Sequence, residues 1–293
     1  MTGQVSLTMI ARDEERVLAR CLASVADLVD EIVFVDTGST DGTRQLAAQA
    51  RDRHGRPARV FQFVWIDDFS AARNETLRHA RGDWIFWMDC DDWLDEPSRH
   101  ELQHLFATLA DENAVYQMIH SSPASADGGH PASAAPQDRL FRRLPQIRWE
   151  GRVHEQIARS AARSGAILKR TNIFIRHSGY GDAELRRRKV ERNLRLLECQ
   201  NIEQPHDPHT LFYLGMTYGM AGRAAEAIPQ LEHALELLPV RSRFRRRAYL
   251  LLADCWRLCG NLSRALDVCE AGISLFPDDP ELRRLREEEM RRA

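Results

Sequence analysis

Lysine is almost missing from this 293-residue chain: Lys169 and Lys189 are the only two, so arginine carries nearly all the positive charge. We read that as genome bias. Charge of one sign is not in excess either. Lys plus Arg number 41 against 43 Asp plus Glu, a formal net charge of −2, so no global basic field recruits nucleic acid or an anionic membrane. No run of about 18 apolar residues exists, so no membrane-spanning helix is expected. Met1 to Arg12 has no basic n-region and only a short apolar stretch, unlike a signal peptide; a cytoplasmic protein is expected. The six cysteines (Cys21, Cys90, Cys199, Cys255, Cys259, Cys269) form no C-x-x-C pair. Several fall in helix-like stretches, which predicts reduced, buried thiols and no disulfide framework. What remains is ordinary for a globular protein, 43% hydrophobic and 29% charged, and its length suggests two domains.

The first half alternates strand and helix signals. Val5–Ala11, Glu31–Asp36, Arg59–Trp65, Asp83–Met88 and Ala114–His120 read as strands. Glu14–Leu28, a stretch to about Arg53, Ala71–Ala80 and Pro97–Ala110 read as helices. EIVFVD is nearly continuous apolar sequence, which suits a parallel strand covered on both faces. This alternation predicts an α/β layered domain with a mainly parallel sheet. Residues 122–137 carry three prolines and no large apolar side chain, and read as a flexible loop. Short β-like pieces follow around Arg139–Arg143, Ile147–Ile157 and Thr171–His177, then a charged helix at about Ala183–Cys199 and a break at Pro205–Pro208.

Beyond the break the pattern is all helical and repeats. Counted from Pro208, the residues Leu211, Leu214, Gly215, Tyr218, Ala227, Leu231, Ala234 and Pro239 fall at positions 4, 7, 8, 11, 20, 24, 27 and 32. Counted from Arg246, the residues Tyr249, Leu252, Ala253, Trp256, Ala265, Cys269, Gly272 and Pro277 fall at the same positions. This resembles the tetratricopeptide (TPR) repeat of about 34 residues, twice over. Small residues at positions 8, 20 and 27 let paired helices approach, and the proline ends each second helix. Domains are expected at 1–200 and 205–293, the second with two repeats. Ala183–Cys199 and Leu282–Arg292 are expected to cap its ends.

In an open parallel sheet ligands bind beyond the carboxyl ends of the strands. Here those ends carry Arg12-Asp13-Glu14-Glu15, Asp36 with Thr37–Thr43, and Asp89-Cys90-Asp91-Asp92. Three carboxylates in four residues repel one another unless a cation lies between them, and hard divalent ions take carboxylate oxygens. The competing explanation is a helix cap, from Asp92 or Asp95. Asp36 could bond a nucleotide base or ribose, while Asp41 or Ser39 could cap the next helix.

The blocks SLTMIARDEE, EIVFVDTGSTDGT, AARNETLRHARGDWIFWMDCDD and RLFRR…WEGRVHE resemble, in order, those of family-2 glycosyltransferases of the GT-A fold. The closest subgroup is similar to bacterial lipopolysaccharide-core enzymes, some fused to TPRs. The resemblance covers roughly residues 4–200. It implies a GT-A (Rossmann-like) catalytic domain that moves a sugar from a nucleotide-diphosphate donor, UDP-linked above others, to an acceptor hydroxyl with inversion. It places Ala11, Arg12 and Glu14 around the base, Asp36 on the base, and Arg73 and Asn74 in the donor pocket. It puts Asp89 near the ribose, Asp91 on Mn²⁺ or Mg²⁺, and His177 as a further metal ligand. Glu155 is the implied catalytic base, with Glu150 second; His154 is a further catalytic candidate that could instead contact the phosphate or the metal. The family shows a small residue where Cys90 stands, and no consequence is expected.

Inverting transfer needs a carboxylate to take the acceptor's proton and a cation to neutralise the departing diphosphate. Arg139, Arg142 and Arg143 could reach phosphates, or form a strand-edge charge row. A nucleotidyltransferase acting on sugar phosphates is an alternative, but Thr8–Glu15 contains no glycine, whereas those enzymes carry a Gly-rich loop there. A catalytically inactive TPR adaptor is another. The acceptor is expected to be a saccharide, a lipid-linked molecule or a protein. The repeats are expected to bind it or a protein partner, or to self-associate into a homo-oligomer.

Overall fold

The computed structural model describes residues 3–124, 132–177, 183–240 and 242–291. The chain divides into two compact units, 1–181 and 182–293. The first contains β1 (Val5–Ala11), α1 (Glu15–Val25), β2 (Glu31–Asp36), α2 (Thr43–Gln49), β3 (Arg59–Gln62), α3 (Phe69–His79) and β4 (Trp84–Trp87). It continues with β5 (Asp92–Trp93), α4 (Glu96–Ala107), β6 (Ala114–Ser122), β7 (Ser133–Arg142), α5 (Ala158–Arg163) and β8 (Ile167–His177). These strands form one sheet in the order β3-β2-β1-β4-β7-β6-β8-β5. The first four are mutually parallel; β7 runs antiparallel to both β4 and β6, and β5 antiparallel to β8. The parallel half matches the α/β expectation, and the far half makes the sheet mixed.

Both faces of the sheet are covered, which is why its central strands are apolar without a break. Leu7, Met9, Phe34, Trp84 and Phe86 pack under Leu18, Cys21 and Val25 of α1 and Leu102 and Phe106 of α4. On the other face Val33, Ile85, Trp87, Val115 and Phe141 pack with Ile147, Trp149 and Ile157. Ile147–Ile157 is not a strand, as its apolar spacing suggested. Gly151 has φ 102° and His154 φ 53°, so the backbone turns instead of extending. Its ends meet where Glu150 and Gln156 exchange two 3.0 Å backbone hydrogen bonds. The expected loop at 122–137 is shorter: Ser122 ends β6, Ser133 begins β7, and 125–131 lie outside the described residues.

The second unit contains α6 (Ala183–Glu203), α7 (Pro208–Met220), α8 (Ala224–Leu237), α9 (Arg243–Leu258), α10 (Leu262–Leu275) and α11 (Pro280–Met290). The two repeats are α7–α8 and α9–α10, with Pro239 and Pro277 just beyond the second helices. A Cβ on Gly215 would stand 2.6 Å from Leu231 Cγ, so the first pair touches where only glycine fits. The helix α6 packs with the repeats, within the compact unit 182–293. Its buried Leu194, Leu196 and Leu197, and bonds from Gln200 to Thr210 (2.6 Å) and from Tyr218 to Glu198 (3.0 Å), account for that. No described helix is long and apolar enough to cross a membrane.

Candidate active site

The carboxyl ends of β1 and β2 are joined side by side. Ala11 pairs with Asp36, and the Ala11 carbonyl accepts from Thr37 N (2.9 Å) and Oγ1 (3.0 Å). Asp13, at φ 56°, accepts from Thr40 N at 2.7 Å, while Glu14 N donates to Thr43 Oγ1 at 2.7 Å. Asp41 accepts from Thr43 N at 3.0 Å and serves the start of α2. Asp36 is buried, and its carboxylate accepts from Gly38 N and Ser39 N at 3.2 Å. Arg12 stands out from this rim with 56% of its side chain exposed.

Beyond β4 the chain makes the tight Asp89–Asp92 turn. Asp89 N donates to Asp92 Oδ2 at 3.1 Å, and Asp92 N donates to the Asp89 carbonyl at 3.1 Å. Cys90 is buried with its thiol 3.5 Å from the Ile10 carbonyl. The Cys21 thiol donates to the Asp89 carbonyl at 3.4 Å. Burial pushes both thiols well above their ordinary range, so they pack as small apolar groups. All six cysteines are free. The residue that caps α4 is Asp95, through Ser98 N at 3.1 Å.

Arg73 of α3 joins the two halves of the site. Its Nη2 donates to Asp89 Oδ1 at 2.7 Å and its Nε to Glu155 Oε1 at 2.5 Å. Its guanidinium stands over the rings of Trp87 (4.4 Å) and Trp149 (4.9 Å). Burial alone would favour loss of its proton, but Asp89 and Glu155 outweigh that and raise its pKa. Burial raises the Glu155 carboxyl above its ordinary value, and Arg73 opposes the rise. Glu155 is therefore a shielded carboxylate with elevated basicity, held in one orientation.

The next residue along α3 has a different task. Asn74 donates Nδ2 to the Trp149 carbonyl at 3.0 Å and accepts from Trp149 N at 2.9 Å. Both ends of its amide are engaged with the backbone that leads to Glu155. Phe69 N donates to the Arg152 carbonyl at 2.8 Å, so α3 ties the turning segment down twice. Glu150 pairs with Arg163 and lies 3.7 Å from Arg148. His154 adjoins Glu155 in the left-handed backbone conformation.

The third cluster involves β8. Asp92 and His177 are register partners of β5 and β8. His177 Nδ1 lies 3.0 Å from Asp92 Oδ1, and its Nε2 lies 3.4 Å from Asp91 Oδ2. Burial disfavours the charged ring, but Asp92 and Asp91 outweigh it and raise the His177 pKa. Ligands about 2.0–2.1 Å from a small hard ion sit roughly 3 Å apart at neighbouring corners. Asp91 and His177 are thus close enough to share one cation between them. Asp92 is wholly buried, with Arg139 Nη1 at 2.7 Å and His120 Nε2 at 3.5 Å. Burial works to raise its carboxyl, but Arg139 and the histidines hold it well below the carboxylate range.

The cluster contains residues that sequence reasoning missed. His120 ends the fifth predicted strand, so the strand-end rule could have flagged it. Asp92 was read as one of the acidic triplet or as a helix cap, and its partners His120, Arg139 and His177 are distant in sequence. Arg139 is buried on Asp92, Arg142 pairs with Asp111 at 2.6 Å, and Arg143 donates to the Gly82 carbonyl at 2.6 Å. The three arginines serve the scaffold.

Residues 6–171 match the family described as Glycosyl transferase family 2, and residues 204–288 match the Tetratricopeptide repeat. A TPR repeat-containing protein of Synechococcus elongatus is 33% identical over 286 residues, which is 92% of this chain and 66% of that protein. The SPbeta prophage-derived glycosyltransferase SunS of Bacillus subtilis is 26% identical over 236 residues, 80% of this chain and 54% of that one. The chain thus spans less than two thirds of either relative's length. The crystal structure of S. aureus TarS 1-349 in complex with UDP-GlcNAc has TM-score 0.52 and 14% identity, over 98% of this chain and 92% of that one. That likeness is one of fold.

Proposed function

The chain belongs to glycosyl transferase family 2, and we propose that it moves a sugar from a nucleotide-diphosphate donor to an acceptor hydroxyl with inversion. The observation that carries this is Arg73, whose one guanidinium bonds both Asp89 and Glu155; on this reading Asp89 faces the donor and Glu155 the acceptor. The acceptor oxygen forms its bond to the anomeric carbon as the bond to the diphosphate oxygen breaks. Glu155 takes the acceptor's proton, and burial raises its carboxyl above the ordinary value, which makes it a stronger base. Arg12, Glu14 and the Ala11–Asp36 rim would frame the nucleotide, with Asp89 near its ribose. Asp91 and His177 would hold Mn²⁺ or Mg²⁺, whose charge neutralises the departing diphosphate.

A UDP-sugar is the favoured donor, since TarS, the fold neighbour, was crystallised with UDP-GlcNAc. The acceptor belongs to the saccharide, lipid-linked or protein classes, and the repeats recruit it or a protein partner, or pair two copies of the chain. A cytoplasmic setting is part of this reading, because six free cysteines suit a reducing compartment.

A thermal-shift panel of UDP-, GDP-, CDP- and dTDP-linked sugars tests the proposal with and without Mn²⁺. One nucleotide class should raise the melting temperature, and only fully with Mn²⁺ present, because ligand binding stabilises by mass action. No shift with any donor at saturating concentration would overturn it.

A further inference from the structure

Asp92 has no exposed surface, yet its carboxylate meets three basic side chains. Its ligand atom, with those of His120 and His177, lies in a group spanning no more than 4.8 Å, the dimensions of a metal cage. Two features argue against a cage. Asp92 Oδ2 is taken at 2.7 Å by Arg139, a fully buried guanidinium that stays charged and would repel a dication there. His177 turns Nδ1 to Asp92 at 3.0 Å and Nε2 toward Asp91 at 3.4 Å, so its second nitrogen addresses a different carboxylate.

We propose that Asp92 is a positioning residue: it accepts the Nδ1 proton of His177, which fixes the tautomer whose Nε2 lone pair faces Asp91. A metal-bound imidazole must be neutral at the ligating nitrogen, and a carboxylate on the other nitrogen sets both tautomer and ring angle. Arg139 anchors the carboxylate. It packs 3.9 Å over the Trp87 ring, and among the described residues its Nε and Nη2 have no hydrogen-bond partner. Its only ionic partner there is Asp92. The order of action is Arg139 to Asp92 to His177. His120 flanks the group at 3.5 Å without supplying a ligand.

The inference rests on the metal reading above, but its first test needs neither metal nor donor. Long-range ¹⁵N–¹H correlation spectra of the metal-free full chain, at alkaline pH where the imidazole is neutral, report the His177 tautomer. The Nδ1–H form is expected, and the Nε2–H form overturns the proposal. In Asp92→Asn an amide N–H faces Nδ1, and the tautomer should switch to Nε2–H. Titration with Mn²⁺ alone, read from the free-ion electron paramagnetic resonance signal, should show Asp92→Asn weakened about 10–100-fold. The paired variant Asp92→Asn/Arg139→Met removes the stranded buried charge and should show the same loss if the single variant folds poorly. His120→Gln should bind Mn²⁺ within about threefold of the parent, in line with a flanking role. Loss of Mn²⁺ in His120→Gln as complete as in His177→Ala would mean a three-ligand cage and overturn the proposal. A parent chain that holds no Mn²⁺ would sink the metal reading, while the tautomer alone would still decide the role of Asp92.

Discussion

Arg73 and Glu155, 82 residues apart in sequence, meet at 2.5 Å with both side chains shielded from solvent. The guanidinium is the counter-charge that keeps the Glu155 carboxyl from rising further than burial has already taken it.

Removal of that counter-charge should move the working pH. In Arg73→Met the Glu155 proton leaves only at higher pH, so the acidic limb of the kcat profile should shift upward. The same change should cost about 3–5 kcal/mol of stability, because it strands a buried charge. Arg73→Lys restores the charge but not the two-pronged geometry, and should recover the limb position more than the rate. An acid limb identical in all three proteins would exclude this role for Arg73.

Glu155→Gln should lower kcat by about 10²–10⁴-fold while donor affinity stays near the parent value. Glu150→Gln should leave kcat within about threefold, since Glu150 is committed to Arg163 and Arg148. Single-turnover sugar transfer and donor calorimetry separate the two. If Glu150→Gln is the crippled variant, the base has been misassigned.

Asn74 offers a contrast between placement and contact. Asn74→Ala removes both bonds to the Trp149 backbone and should cost about 1–3 kcal/mol in chemical unfolding. Donor affinity of the folded fraction should change far less. A large affinity loss at unchanged stability would return Asn74 to the donor pocket.

Gly215→Ala should destabilise the repeat unit. A Cβ 2.6 Å from Leu231 Cγ forces repacking worth about 1–3 kcal/mol, more than the ~1 kcal/mol that alanine gains in a helix. At Gly272 the nearest atoms are 3.1–3.2 Å away, so Gly272→Ala should be close to neutral. Melting temperatures of the two variants rank them directly.

Asp279 caps α11 through Leu282 N at 2.9 Å and pairs with Arg246. Burial acts to raise its carboxyl, but Arg246 and the cap hydrogen bonds prevail and hold it below the ordinary 3.8. Its contribution is therefore complete above that value and is lost as pH falls through the folded pKa. Asp279→Asn should flatten the acid side of the stability curve for the repeats, and denaturation followed from pH 5 downward checks it.

Much of this was legible in the residues alone. The repeat register was visible because helix pairs pack through small residues at fixed positions, and the proline marks each end. The strands β1, β2 and β4 were legible because burial on both faces demands unbroken apolar runs. Their carboxylates could be placed at one rim by the rule for parallel sheets. The turning segment around Glu155 was misjudged as strand because its apolar spacing is shared with extended chain, and left-handed backbone at His154 leaves no mark in composition.

The sequence by itself determined the repeats, the parallel half of the sheet and the acidic rim, since each follows from local periodicity. Tertiary structure alone decided the partners: Arg73 with Glu155, Asp92 with Arg139 at a separation of 47 residues, and His177 with Asp92 at 85. Those contacts depend on the order in which strands lie side by side and on helix α3 packing against β1 and β2. Nothing in the spacing of residues along one chain encodes which buried charge will find which.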